Sequence, residues 1–396
     1  MRILIATVTA GAGHLQAASA LEESWRSLRP ADTVQRVDVL DFTPRLYRKA
    51  VADGYLKLVG HAPELYALVF KKTDNPILVR KLNRLRRLSA RLLAQKFVKH
   101  LKRFRPDVVL CPHFLPLEII GSLTMGSTGV PACVRPESTG RDACATRVKT
   151  IVTPFTVCIV TDFEAHALWM EPCVDLYCVA AEMTKARLVA RGVPGANIAV
   201  TGIPIAAKFS AKANPAAVRY QYGLRDDLPT LLVLGGGFGV GPVKRILAEL
   251  DKLSKPVQAL VVCGRNEELR REIASQDHRH PTHVLGFVSN MHELMAVSDM
   301  IVTKPGGLTS SEALAMGKPL VIIDPIPGQE AANSDFLLEH GVAIKLNRLE
   351  DLPFRIEKLI CSKTLAAMAR KAQALGRANA ATAVCETVAD QFMGKL

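Results

Sequence analysis

The chain has 396 residues, enough for two domains of ordinary size, with 49% hydrophobic and 5% aromatic content. No apolar run reaches the roughly 18 residues of a membrane span, and MRILIATVTAGAGH is a strand entering a glycine turn, without the cleavage region of a signal peptide. Nine cysteines, an odd count with no C-x-x-C pair, point to reduced core residues in a cytoplasmic protein and away from a disulfide framework. The net charge of +14 is local: between Arg45 and Arg105 stand 17 Lys and Arg against only Asp53, Glu64 and Asp74, a difference equal to the excess of the whole chain. One region is therefore suited to an anionic surface.

Arg2 to Val8 is expected to form a buried parallel strand, GAGH a turn, and Leu15 to Leu28 an amphipathic helix. Gln16 stands where the third glycine of G-x-G-x-x-G belongs, so a dinucleotide site gains little support. His14 lies at the helix N-terminus, where a positive helix end keeps an imidazole neutral. A neutral imidazole there is either a general base or simply a cap on the turn. Thr33 to Leu40 is a second strand. Tyr47 to Phe104 is helical in pattern, broken near Pro63 and Pro76. Its last part, VRKLNRLRRLSARLLAQKFVKHLKRF, sets Leu82, Leu85, Leu88 and Leu92 on one face and arginines and lysines on the other. Such a helix suits anionic lipid, each basic residue near the surface adding about 1 kcal/mol. The alternative is a packed helix with a solvated basic face. Nucleic acid is the weakest reading, for want of stacking aromatics or a recognisable module.

Asp107 to Pro112 is a further strand, followed by His113, and Thr124 to Pro154 is loop-like. TVCIVTDFEAH predicts a strand ending at Asp162 and a helix beyond it, which sets Asp162 and His166 on one face. A capping Asp and an incidental His would look the same, and the pair is too small for a zinc site. Asp175 to Ala180 and Ile198 to Thr201 close the first domain, with a linker around Ala206 to Asn214.

The second half alternates strand and helix. Thr230 to Leu234 enters GGGFGVGP, whose glycines admit a diphosphate close to the backbone; without a G-K-[ST] ending, an ATPase loop is not supported. Pro256 to Cys263 ends in Gly264-Arg265-Asn266, where Arg265 meets phosphate or is a solvated loop residue. His283 to Val288 ends in Gly286-Phe287-Val288 ahead of Met291. Asp299 to Thr303 leads through Lys304-Pro305-Gly306-Gly307 to a helix from near Thr309 that carries Glu312. Pro319 to Ile323 exits into a loop presenting Gln329, Glu330 and Asn333. A carboxylate one turn into a helix can accept from both hydroxyls of a ribose, and amides can read sugar hydroxyls. A tight βα turn with a capping Thr309 and a solvated Glu312 would leave the same pattern. Leu352 to Phe392 is helical.

Five blocks in fixed order, GAGHLQAA, VTDFEAHALW, GGGFGVGP, VVCGRNEEL and KPGG…GQEAAN, resemble glycosyltransferase family 28. These are inverting GT-B enzymes that include the peptidoglycan lipid-linked N-acetylglucosaminyltransferase and the diacylglycerol glycosyltransferases, among them monogalactosyldiacylglycerol synthase. The likeness is to the diacylglycerol branch. It implies an α/β fold of the GT-B type, with two Rossmann-like domains facing a cleft. Residues 1–207 would take acceptor and membrane, residues 215–378 the UDP-sugar, and residues 379–396 would form a helix crossing back.

The resemblance implies transfer of a hexose from a UDP-sugar to a membrane lipid, diacylglycerol first, with His14 as catalytic base. It places the UDP-sugar on Gly235, Gly236, Gly237, Phe238, Gly264, Arg265, Asn266, Phe287, Val288, Met291, Pro305, Gly306, Gly307, Thr309, Glu312, Gln329, Glu330 and Asn333. Gly13, Asp162 and His166 would face the acceptor. It implies no metal or other cofactor, since glycine N–H groups and a helix end offset the diphosphate; Asp226-Asp227 is a loop pair and not D-x-D. The implied partners are UDP-hexose, diacylglycerol and an anionic membrane met through Arg45 to Arg105, at the inner face of the cell membrane. The 124–154 stretch exceeds the family's usual link. A GT-B enzyme with a polyprenyl-linked or soluble acceptor, a UDP-sugar epimerase, and a membrane-binding protein without turnover are the competing readings.

Overall fold

The computed structural model describes residues 1–9, 11–49, 54, 62–79, 81, 86, 89, 93–124, 154–211, 214–236 and 241–394. Gly237, Phe238, Leu82, Leu85, Leu88, Leu92 and all but the ends of the 124–154 stretch lie outside them.

The first half folds as β1 (Arg2–Thr7), α1 (Ala12–Leu28), β2 (Thr33–Asp38), α2 (Pro63–Thr73), α3 (Gln95–Phe104), β3 (Val108–Cys111), α4 (Phe114–Thr124), β4 (Phe155–Ile159), β5 (Leu176–Val179), α5 (Glu182–Ala190) and β6 (Ile198–Val200). The strands form one parallel sheet in the order β2-β1-β3-β4-β5-β6. Most of its strands read as apolar runs because helices cover both faces. Leu4, Ala6, Val109 and Cys158 point to one core, and Ile3, Ile5, Leu110 and Val157 to the other.

The second half runs α6 (Pro215–Gln221), β7 (Thr230–Leu234), α7 (Val243–Leu250), β8 (Gln258–Val262), α8 (Glu267–Ala274), β9 (Thr282–Leu285), α9 (Met291–Val297), β10 (Met300–Thr303), α10 (Gly307–Ala315), β11 (Leu320–Ile322), α11 (Gln329–Glu339), β12 (Ala343–Lys345), α12 (Leu352–Ile360), α13 (Thr364–Leu375) and α14 (Ala380–Met393). Its sheet order is β12-β11-β10-β7-β8-β9, again all parallel. This is the doubly wound Rossmann order. Helix α14 leaves the second half and packs on α1, burying Val384, Cys385 and Val388 against Ile3, Leu21 and Trp25.

Each sheet reverses its direction of winding at one place, and ligands in such sheets bind outside the strand ends there. In the first sheet that place lies between β1 and β3; in the second, between β7 and β10. The segments that follow these four strands carry His14, Pro112, Gly235 and Gly306.

Three expectations change. Between β4 and β5 no α-helix forms: His166 caps a single 3-10 turn at Ala167–Trp169, its Nδ1 accepting from the Leu168 N–H at 3.1 Å. Asp162 and His166 therefore share no helical face. Helix α10 starts at Gly307 rather than Thr309, because Gly306 already has the extended φ/ψ of a cap (−64°, 141°). Gln329, Glu330 and Asn333 sit in the first two turns of α11 and not in a loop.

The basic region is partly visible. Over α3, Phe97, Val98 and Leu101 are buried in the first domain, and the basic residues Lys96, Lys99, Lys102 and Arg103 are exposed. Its apolar face is already used by the fold. On α2, by contrast, Leu65, Leu68 and Val69 are exposed beside Lys71 and Lys72. No helix among the described residues is long and apolar enough to cross a membrane.

Candidate active site

The strand ends of the two sheets meet through a small set of contacts. Gly307, the first residue of α10, lies against the first domain so closely that a Cβ there would sit 2.0 Å from the Thr161 carbonyl oxygen. Only glycine permits that approach. A Cβ on Gly13 would touch Leu308 at 3.8 Å, so the starts of α1 and α10 are neighbours. Phe163 stacks on Phe336 of α11, centroids 4.4 Å apart.

Asn333 completes this junction. It is fully buried, and its Oδ1 accepts from the Phe163 N–H at 2.8 Å. Its Nδ2 donates to Asp162 Oδ1 at 2.9 Å and to the Pro305 carbonyl at 3.1 Å. Both ends of the amide are thus used between the domains. Burial raises the Asp162 carboxyl to about 6, the Asn333 bond opposing it. Sequence offered Asp162 and Asn333 as separate features; only the fold makes them a pair.

His14 sits in the first turn of α1, where β1 ends. Its Nδ1 lies 2.9 Å from the Pro112 carbonyl oxygen and 3.1 Å from Thr161 Oγ1. A carbonyl only accepts, so Nδ1 carries the proton and Nε2 keeps its lone pair. Burial lowers the ring to about 4, more than the Pro112 bond raises it. The edge of the ring meets His113 at 4.8 Å between centroids, and burial together with His14 holds His113 well below its usual range. Trp169 lies 6.5 Å from the His14 ring. Thr161, His113 and Trp169 fall inside or beside motifs that the sequence exposes, yet their convergence on His14 depends on β1, β3 and β4 being neighbours.

In the second domain, Gly306 is open: the nearest atom to a Cβ there is Glu330 Oε1 at 4.0 Å. The N–H groups of Gly307, Leu308 and Thr309 begin α10 and have no partner within the helix. They are available for an anion, beside Gly235 and Gly236, which follow β7. Gly236 has φ 79°, a glycine conformation. Glu312 stands further along α10; burial pushes its carboxyl up to about 8, and Lys208 draws it back. Lys208 comes from the linker, and its Nζ donates to the Ser289 carbonyl at 2.6 Å. No sequence motif marks it.

The outer part of this site is made by two loops. After β8, Gly264 turns at φ 60°, and the Arg265 guanidinium lies 5.5 Å from the centre of the exposed Phe287 ring. Asn266 caps α8, its Oδ1 accepting from the Leu269 N–H at 2.9 Å. Val288 and Met291 are partly buried against the second-domain core. On α11, Gln329 Oε1 accepts from the Tyr66 hydroxyl at 2.6 Å, and Glu330 Oε2 accepts from the Ile326 N–H at 2.8 Å. Burial raises the Glu330 carboxyl.

His166 is turned to a structural task. Its Nε2 lies 3.0 Å from the Phe70 carbonyl of α2, and its ring packs on that of Phe70 at 4.4 Å. Asp74, at the end of α2, accepts from the Ala167 N–H and pairs with Arg191, each at 2.8 Å. His166 therefore helps to hold α2 in place.

Residues 14–128 and 143–205 match the family model described as Monogalactosyldiacylglycerol (MGDG) synthase, and residues 218–375 match Glycosyl transferases group 1. The processive diacylglycerol beta-glucosyltransferase of Bacillus pumilus is 29% identical over 98% of this chain and 95% of its own length. The enzyme of that name from Bacillus cereus is 30% identical over 91% of this chain and 85% of its own length. The crystal structure of Acinetobacter baumannii MurG superposes with a TM-score of 0.61 at 17% identity, covering 98% of this chain and 99% of that one.

Proposed function

The chain belongs to the diacylglycerol glycosyltransferase family, a GT-B branch of glycosyltransferase family 28, and from that premise we propose that it transfers glucose from UDP-glucose to diacylglycerol with inversion at the anomeric carbon. The observation that carries the reading is the facing of His14, on the first sheet's winding reversal, with the start of α10, on the second's. Glucose is chosen over galactose on the names of the curated relatives.

In this reading the diphosphate lies on the N–H groups of α10 and the Gly235–Gly236 turn. Glu312 receives the ribose hydroxyls, Arg265 and Phe287 border the base, and Gln329 and Glu330 meet the hexose. The acceptor hydroxyl approaches His14 Nε2, gives up its proton there, and its oxygen attacks the anomeric carbon as the bond to UDP breaks. An imidazole held near 4 is always neutral at working pH but a weak base. The diphosphate's negative charge favours an imidazolium nearby, so donor binding strengthens the base just when it is needed. The helix end stabilises the charge that moves onto UDP. The acceptor domain would rest on an anionic membrane through the Arg45 to Arg105 region, with the enzyme peripheral at the cytoplasmic face.

The test is UDP release from UDP-glucose and UDP-galactose in turn, by purified protein with anionic liposomes that do or do not contain diacylglycerol. Diacylglycerol-dependent release with a glucosyldiacylglycerol product is expected. Release without lipid means transfer to water or a soluble acceptor, an isomeric UDP-sugar with no net UDP release means an epimerase, and no release from a protein that binds UDP and liposomes overturns the reading.

A further inference from the structure

The Lys304-Pro305-Gly306-Gly307 turn leads from β10 to α10, and its lysine has no part in the chemistry above. The backbone of Lys304 is fixed. Its carbonyl accepts from the Gly306 N–H at 3.0 Å and from the Thr303 hydroxyl at 3.2 Å. The exit of β11 is tied to the same place, the Ile323 N–H donating to the Thr303 carbonyl at 3.1 Å. The tip of the side chain is held differently. Lys304 Nζ pairs with Asp324 Oδ2 at 3.1 Å, the lysine side chain 28% and the aspartate 70% exposed. A pair so open to solvent is weak and readily exchanged. Asp324 has φ 41°, in the left-handed region that Asp enters more easily than most residues but at a cost. Backbone strain of this kind gathers at ligand sites. Glu330 completes the group. Its Oε1 is the atom nearest to a Cβ on the open Gly306, at 4.0 Å. Burial raises its carboxyl, and the Ile326 bond and the charge of Lys304 oppose that rise. Lys304 thus stands within electrostatic reach of the space beside Gly306.

We propose that Lys304 leaves Asp324 when the donor binds and sets its ammonium on the β-phosphate, where it stabilises the charge that departs with UDP. The proposal rests on the reading that the diphosphate lies at the start of α10. A helix end is equivalent to about half an elementary charge. As the acceptor oxygen bonds to the anomeric carbon, the bond from that carbon to the β-phosphate oxygen breaks and leaves both electrons on UDP. The β-phosphate then carries a full additional negative charge, more than the helix end alone offsets. An ammonium placed there acts most strongly in the transition state, where that charge develops. Asp324 has the complementary task. It keeps the ammonium at the rim of the empty site, and its hold is weak enough for a diphosphate, with more than one negative charge, to take over.

The experiment measures UDP and UMP binding by calorimetry, and turnover of UDP-glucose, in the full-length protein and in Lys304→Met, Lys304→Arg, Asp324→Asn and the Lys304→Met/Asp324→Asn double variant. Met keeps an unbranched stem without the charge, and Asn tolerates the left-handed backbone. Lys304→Met is expected to weaken UDP by about 10- to 150-fold, the range for a hydrogen bond to a charged group, and to leave UMP, which lacks the β-phosphate, close to wild type. It should lower kcat as well, and Lys304→Arg should recover much of both losses. Asp324→Asn is expected to tighten UDP by about two- to fivefold, the strength of an exposed pair. In the Lys304→Met background it should add nothing, because the group it restrains is gone. A purely structural ion pair would make both single variants lose thermal stability and UDP affinity together, and that result overturns the proposal. Equal losses of UDP and UMP overturn it too, since the lysine is then not at the β-phosphate. UDP binding untouched by Lys304→Met overturns it while leaving the diphosphate reading of α10 intact. A wild-type protein that binds neither UDP nor UMP removes both.

Discussion

His14 and Pro112 are 98 residues apart in the chain, yet Nδ1 of the one lies 2.9 Å from the carbonyl oxygen of the other. The contact crosses the gap between β1 and β3, and it fixes the imidazole tautomer without a carboxylate. His14→Ala is expected to lower kcat by about 10²- to 10⁴-fold, the range for loss of a general base. UDP affinity should stay within about threefold of wild type. Parallel loss of turnover and UDP binding would show that His14 shapes the donor site instead of moving a proton.

The pH profile gives a second check on the same ring. With its folded value lowered to about 4, His14 is neutral through the whole range in which an ordinary histidine titrates. The kcat/KM of the free enzyme is therefore expected to lack an acid limb from His14 near 6.5, with the loss appearing only as pH falls toward 4. For stability the sign is the same: protonation is disfavoured by the fold, so stability is full above 6.5 and is lost as pH falls from there through the folded value. A kcat/KM limb near 6.5 that disappears in a His14 variant with residual activity would contradict the burial of the ring.

Glu312 should reveal itself through UDP binding. Its carboxyl is raised to about 8, so at neutral pH it is mostly protonated in the empty site. Ribose hydroxyls that donate to it favour the ionised form. UDP binding is then expected to release protons at pH 7 and to tighten as pH rises toward 8. Glu312→Gln should weaken UDP and flatten the pH dependence. Calorimetry in buffers of different ionisation enthalpy measures the proton release directly; proton uptake would exclude this role.

Much of this was legible in the sequence, for physical reasons. Apolar strand runs, glycine turns and amphipathic helices are local signals, and parallel sheets covered on both faces leave them strong. The order of the five motif blocks carried the two-domain fold. Gly306 and Gly307 look alike in sequence, but one is open and the other lies against the Thr161 carbonyl. That difference exists only between domains. Likewise Asn333 was read in an exit loop, and the helix that begins at Gln329 turns it toward Phe163 and Asp162. Asp162 and His166 looked like neighbours on one helical face because the strand end implied a helix that does not form. Tyr66 and Lys208 carry no motif, since each acts on a residue of another element.

The two glycines make a paired prediction. Gly307→Ala puts a methyl group where only about half the needed space exists, against backbone that cannot swing aside. The domains are expected to lose their present seating, with kcat/KM down at least about 10²-fold, because a displacement of about 1 Å costs that much in a positioned reaction. Gly306→Ala meets nothing nearer than 4.0 Å and has an ordinary φ of −64°. It should keep thermal stability close to wild type and affect UDP binding alone, through a crowded approach of the diphosphate. Equal thermal shifts in the two variants would argue against the tight contact at Gly307.

The Asn333–Asp162 bond offers the last prediction. Asn333→Asp keeps the size of the side chain but replaces its N–H donor by an acceptor facing the Asp162 carboxylate and the Pro305 carbonyl. Leaving such buried groups unmatched costs about 1–3 kcal/mol each. The Asp162 carboxyl is already raised to about 6 by burial, so in wild type its contribution is fully present below the ordinary carboxylate value and is lost as pH rises through 6. A second carboxylate beside it holds a shared proton still more firmly. The variant's deficit in Tm is therefore expected to be small near pH 5, where one proton can sit between the two groups, and to widen toward pH 8, where both must ionise. Asn333→Ala, which introduces no charge, should show a deficit that changes far less over the same range. If the two variants lost stability in parallel as pH rises, the carboxylate pair would not be the cause.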